Sequence, residues 1–164
     1  MTNSIRILFL MLIFLGFHLP SYAQEELSEI KKLSKSADVI VSGKVTEKKS
    51  SWNENKTRIY TKTTLQVDEY LKGKDNGNFV EVLSPGGEVD DVGELYTHMP
   101  TFEVNEEVLV FLKKDMKNKE YSVLNGEEGK IKVVNDTKTK EKVTGSKLRI
   151  EDLKAQIKRF VEEK

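Results

Sequence analysis

The sequence predicts a mainly β protein, a small antiparallel barrel with a helix at each end of the domain. Three observations carry this. Short runs of β-branched residues recur with period-two alternation. Clusters of Gly, Asn and Pro separate those runs. Helical periodicity appears only before the first run and after the last. About six short strands with a glycine inside one of them suit a small barrel; a sandwich is the alternative.

The elements follow in order. Leu27, Ile30 and Leu33 fall at i, i+3 and i+6 within Glu25–Ser36, a short amphipathic helix. Val39 to Thr46 alternates as a strand, and Gly43 in its middle indicates a bulge or bend. Lys48 to Lys56 is polar around Trp52 and reads as a hairpin loop. In Arg58–Leu71, Ile59, Thr61, Thr63, Leu65 and Val67 share one face, the clearest strand in the chain. Lys72 to Asn78 turns. Phe79 to Leu83 is a strand stopped by Ser84-Pro85-Gly86-Gly87, because Pro cannot donate to a ladder and Gly permits positive φ.

Glu88 to Phe102 has no clear period. Val104-Asn105-Glu106 reads as a tight turn with Asn in the left-handed region. Val108 to Leu112 is apolar on both faces, the mark of a doubly covered strand. Asp115 to Lys119 turns. Tyr121–Leu124 and Lys130–Val134 are short strands beside Asn125-Gly126. Asn135 to Gly145 reads as a charged loop. Leu148, Leu153, Ile157, Phe160 and Val161 share one face of a C-terminal helix over about 147–162, with Ser146 as its N-cap.

The first residues carry an export pattern. Arg6 precedes an apolar run, Ile7–Phe17, then His18-Leu19-Pro20 and the small residues Ser21 and Ala23. This is the layout of a signal peptide, residues 1–23, cleaved before Gln24. The run is shorter than the roughly 20 residues needed to span a bilayer, so no stable membrane anchor is expected. Residues 24–164 then form a single domain, periplasmic or extracellular. Basic and acidic residues balance at 27 each, which argues against nucleic-acid binding. An exported domain without cysteine must be held by its core alone, a bacterial style.

The order of signals resembles a known family. Ala37-Asp38-Val39-Ile40-Val41-Ser42-Gly43-Lys44-Val45 precedes a Trp loop, then Ile59-Tyr60-Thr61 and Leu71-Lys72-Gly73. Pro85-Gly86-Gly87-Glu88-Val89, Pro100-Thr101-Phe102, Glu106–Leu112 and Gly129–Val133 follow. Over Leu27 to Val134 the chain resembles exported prokaryotic proteins of uncharacterised function. Their domain is similar to the OB-type barrel of netrin-like domains and tissue inhibitors of metalloproteinases. The resemblance implies an OB-like barrel, 24–164. It does not carry over the inhibitors' zinc-chelating N-terminal cysteine, since the expected N-terminus is Gln24 and the chain has no Cys.

Catalytic chemistry is thinly supplied. His98 is the only histidine after the leader, so a His-based zinc site is disfavoured. Ser84 lacks a nucleophile-elbow setting. Glu88, Asp90, Asp91 and Glu94 are weak metal candidates: adjacent aspartates in extended chain point to opposite sides, and no regular ligand spacing is present. No cofactor is expected. The leading expectation is a non-enzymatic exported interaction module binding a protein partner, a secreted protease among the options. Its contacts would come from Trp52, Pro85, Gly86, Gly87, Glu88 and Tyr96. The alternatives are a protease inhibitor-like protein and a metal-dependent hydrolase using the acidic loop 88–94.

Overall fold

Alternation along the two longest strands decides the architecture, because one face of each must be buried. The computed structural model describes residues 21–73, 77–116 and 120–163, with side chains from Glu25 on. Residues 1–20, most of the expected signal peptide 1–23, parts of the turns after Gly73 and Met116, and Lys164 lie outside the described residues. The chain divides into two units, residues 1–30 and 31–164. Helix α1, Ser21–Ser36, begins earlier than its amphipathic pattern indicated and runs through the boundary between them. Within the second unit, Leu33 is buried, and Lys72 Nζ donates to the carbonyls of Ser34 and Lys35, each at 2.9 Å. A cation on the last carbonyls of a helix satisfies groups that have no partner inside it.

The strands are β1 (Val39–Trp52), β2 (Ile59–Lys72), β3 (Phe79–Pro85), β4 (Gly87–Val89) and β5 (Val92–Glu94). They continue with β6 (Glu107–Lys114), β7 (Tyr121–Val123), β8 (Lys130–Asn135) and β9 (Lys142–Val143). Five close a barrel. β1 pairs with β2, β2 with β3, β6 with β7 and β6 with β1, all antiparallel. The closing contact, β3 with β7 at Val82–Tyr121, is parallel. This is the OB-like barrel the sequence predicts. The second edge of β6 is shared: Val110 to Glu107 take β8, and Leu112 to Lys114 take β7. A 3₁₀ turn at Gly126–Gly129 carries the chain from one partner to the other.

β1 must bend to pair with both β2 and β6. Its register shifts between Ser42 and Gly43, and a Cβ on Gly43 would lie 2.3 Å from the carbonyl oxygen of Gln66. Only glycine allows strands to approach this closely at the bulge. Val39, Val41, Val45, Leu65, Val80 and Val82 fill the barrel with Val108, Val110, Leu112 and Tyr121. Phe102 is 3% exposed and joins this core. Burying an aromatic of that size contributes about 2–3 kcal/mol. Ile40, Leu109 and Phe111 are fully buried outside that cluster, so Val39–Gly43 of β1 and Val108–Leu112 of β6 are covered on both faces. The apolar run Val108–Leu112 announced this for β6.

Helix α2, Ile150–Glu162, packs on β2 and β9 through Leu153 and Ile157. Its first cap position is Arg149, with no side-chain cap. The expected N-cap Ser146 lies before the helix and exchanges a hydrogen bond with Thr144 Oγ1 at 2.8 Å instead. The charged segment after Asn135 is a hairpin, not a plain loop: β9 returns to pair with Val134 and Asn135 of β8. Among the described residues, no helix is long and apolar enough to cross a membrane.

Candidate functional site

The inner face of the barrel changes character toward one end. Leu65 of β2 lies opposite Val45 of β1 and Val80 of β3, an apolar layer. One layer on, Thr63 lies between Lys48 and Val82; the next places Thr61 between Ser50 and Ser84. Apolar side chains thus give way to hydroxyls over four residues of β2. Above them is a cavity of about 620 Å³, walled by these hydroxyls on one side and by Leu95, Tyr96 and residues 99–102 on the other. The volume falls in the range of small-ligand sites. Phe102 closes the core beneath it.

Pro85-Gly86-Gly87 turns the chain over this mouth. β3 continues through Ser84 and Pro85, which pair with Thr61 and Tyr60, so the strand is longer than expected. Gly86 N–H then donates to the Ile59 carbonyl at 2.8 Å. Gly86 and Gly87 have φ of 94° and 133°, which β-carbon-bearing residues avoid. Thr61 Oγ1 donates to the Gly86 carbonyl at 2.7 Å and lies 2.9 Å from Ser50 Oγ. Since the single Thr61 proton is committed to Gly86, Ser50 donates to Thr61. That hydroxyl chain is internally satisfied.

Thr63 is different. It is fully buried, and its Oγ1 is the one buried side-chain polar atom among the described residues that has no hydrogen-bond partner. Leaving a buried hydroxyl unpaired costs about 1–3 kcal/mol. Across from it, Lys48 Nζ donates to the Phe102 carbonyl at 3.0 Å and lies 3.8 Å from the exposed Glu103 carboxylate.

The far wall is pinned at several points. Glu94 Oε2 accepts from Ile59 N–H at 3.1 Å and from Tyr96 Oη at 3.0 Å; Tyr96 Oη in turn accepts from Arg58 Nη1 at 2.7 Å. The hydrogen bond to the Tyr96 hydroxyl holds the Arg58 guanidinium above its usual pKa. His98 takes φ of 63° and its carbonyl accepts from Glu127 N–H at 3.0 Å. Lys130 Nζ reaches the Thr101 carbonyl and lies 4.8 Å from the Phe102 ring centre. Asn105, at φ 72°, makes the expected left-handed turn back into β6. Between these fixings Leu95 stands 88% exposed and Met99 37%.

Of the residues picked out in the sequence, Pro85, Gly86, Gly87, Glu88, Glu94 and Tyr96 line the cavity. Trp52 does not. It is the last residue of β1, paired with Ile59 and half-buried, so the loop begins at Asn53 rather than Lys48. Asn53 Oδ1 organises that loop by accepting from Thr57 and Arg58 N–H. The acidic residues lie on a hairpin, not around one point. Glu88 pairs opposite Gly93, and Asp90-Asp91 form the exposed two-residue turn, with Asp90 at φ 53°. Among the described residues no group of three His, Cys, Asp or Glu is placed to hold a metal ion.

Sequence reasoning missed Thr63, Lys48 and the hydroxyl layers. Threonine in a strand reads as a β-former. The available signal was polar Thr61 and Thr63 on a face otherwise built of Ile59, Leu65 and Val67, with Ser50 and Ser84 in the neighbouring strands. Fold and site together define a closed OB-like barrel with a hydroxyl-floored cleft at one mouth. Comparison with protein-family models and with curated proteins finds no match to this chain.

Proposed function

We propose that the protein is a non-enzymatic interaction module that engages a protein partner at the barrel mouth. The observation that supports this is the exposed Leu95 on a segment otherwise tied down. An 88% exposed leucine beside a cleft, on a loop fixed at Glu94, His98, Thr101 and Phe102, carries apolar surface at little ordering cost. Binding residues concentrate on such loops held by a rigid scaffold. In this reading the partner contact centres on Leu95, Met99 and the Pro85–Glu88 turn, and Trp52 lies at its margin. The resemblance to exported prokaryotic proteins and to netrin-like barrels supports placing the protein outside the cytoplasm, with residues 1–23 removed.

A photo-crosslinking amino acid in place of Leu95 tests the contact in the native host. One dominant adduct is expected, reduced when Met99 is also changed to Asp, whereas a crosslinker at Lys140 gives none. Equal, diffuse labelling from both positions would sink the proposal. Mass spectrometry of the mature protein tests export: the first residue is expected to be Gln24 or its cyclised form.

A further inference from the structure

The cleft floor says what the mouth holds. We propose that it is a carboxylate site, taking a ligand with one carboxylate head and an apolar body. This deepens the interaction reading and rests on it.

The head is fixed by two donors. Thr63 Oγ1 is buried without a partner, at the floor of the cavity. Lys48 is its direct cross-strand neighbour, so both side chains leave the same face of the sheet. Lys48 Nζ spends one hydrogen on the Phe102 carbonyl. Its one carboxylate partner among the described residues, Glu103 at 3.8 Å, is 77% exposed, so that pair is weak and displaceable. A buried hydroxyl and a partly exposed ammonium at paired positions of neighbouring strands, both lining the cavity, suit a carboxylate, which can accept hydrogen bonds from both.

The other polar groups of the cavity are occupied among themselves. Ser50 donates to Thr61 and Thr61 to the Gly86 carbonyl, so both hydroxyl protons are used within the wall and the head is left to Thr63 and Lys48. Glu94 is consumed by Ile59 N–H and Tyr96. Glu88 stands exposed on β4, so among the described residues that line the cavity the carboxylates are this one and the bonded Glu94; Glu103, near Lys48, is exposed to solvent. Opposite the donors, Met99, Pro100 and Phe102 offer an apolar wall. Two sources carry this chemistry: a free monocarboxylic acid, or the C-terminal carboxylate of a partner whose last residue is apolar.

Calorimetric titration of the full chain with four probes separates them. The probes are octanoate, octanamide, an N-acetyl dipeptide acid with an apolar last residue, and its amide. Each acid is expected to bind at least tenfold tighter than its amide. Tighter binding of the dipeptide acid assigns the site to a partner's C-terminus; tighter octanoate assigns it to a free acid. Thr63→Val should cut acid binding at least tenfold while the thermal midpoint stays or rises, since the unpaired hydroxyl is gone, and Lys48→Gln should cut acid binding at least tenfold as well. Amides binding as well as acids, no binding by either acid, or full binding by Thr63→Val would each overturn the proposal. A partner crosslinked through Leu95 together with silent titrations would remove this inference alone; loss of the crosslink removes the reading beneath it.

Discussion

A β-carbon on Gly87 would sit 2.3 Å from Thr61 Oγ1. It would also lie 2.4 Å from Ser50 Oγ, so glycine here is what lets the chain cross over the hydroxyl pair. Gly87→Ala therefore meets two obstacles at once. Its φ of 133° lies in a region essentially reserved for glycine, costing about 1–3 kcal/mol. The clash adds to that and forces Thr61 off the Gly86 carbonyl. Urea unfolding should show a loss of about 2 kcal/mol or more, with the slope unchanged; a change within about 0.5 kcal/mol, as at ordinary surface sites, would contradict this account of the turn.

The helix α2 is held to the barrel by Glu69 of β2, which bonds Lys158 Nζ at 2.6 Å and Lys154 Nζ at 3.2 Å. The Lys158 hydrogen bond, then Lys154, holds the Glu69 carboxyl below its usual 4.5. A carboxylate with a depressed folded pKa stabilises the protein above its unfolded pKa. That stability is lost as pH falls from about 4.5 through the lower folded value. Thermal unfolding from pH 6 to 3 should thus show a steeper acid limb in the wild type than in Glu69→Gln. Parallel curves would place the acid sensitivity elsewhere, for example at Asp38, whose carboxylate accepts from Lys114 N–H and Lys113 and is likewise lowered.

Calcium should leave the thermal midpoint where it is. A ligand that binds only the native state raises that midpoint, and calcium asks for six to eight oxygens around one point. Glu94 is turned inward to Ile59 and Tyr96, while Asp90 and Asp91 occupy the tip of the β4–β5 hairpin. Differential scanning with millimolar calcium checks this, and a rise of several degrees would restore the acidic loop as a cation site.

Much of the barrel was legible in the sequence because burial there follows a two-residue period. Ile59, Thr61, Thr63 and Leu65 were assigned to one face, and all four are buried. Gly43 marked the bulge and Asn105 the left-handed turn. What the sequence hid depends on distant pairing. Trp52 read as a loop residue because its neighbours are polar, yet the β1–β2 ladder runs on through Ser50 and Ser51 to Trp52. The β4–β5 hairpin has strands too short to show any period. The cleft is harder still: Lys48 and Thr63 are separated by a loop, and only the register brings them together. The Gly86-Gly87 pair was visible as a turn, whereas the reason for it, the hydroxyls beneath, was not.

The pair Glu106 and Lys130 ties the Thr101–Phe102 wall of the cleft to the start of β8, and removing one partner should cost far more than removing both. Their side chains are 5% and 13% exposed, and Lys130 Nζ lies 3.0 and 2.8 Å from the two carboxylate oxygens. Glu106 also accepts from Glu103 N–H at 3.1 Å, with Lys132 only at 3.7 Å. Glu106→Leu leaves the Lys130 ammonium sheltered without its carboxylate, a loss of about 3–5 kcal/mol; Lys130→Met leaves the carboxylate with weaker partners. In the double variant the remaining charge is gone, so its loss should fall below that of Glu106→Leu alone. A double-mutant cycle by chemical denaturation reads the difference as coupling between the two. Additive losses would mean that the two charges act independently. The same cycle bears on the cleft, because Lys130 also holds the Thr101 carbonyl next to Phe102. Lys130→Met should therefore speed amide hydrogen exchange in residues 99–103 more than at the Glu94 latch, where Arg58 and Tyr96 keep their own bonds.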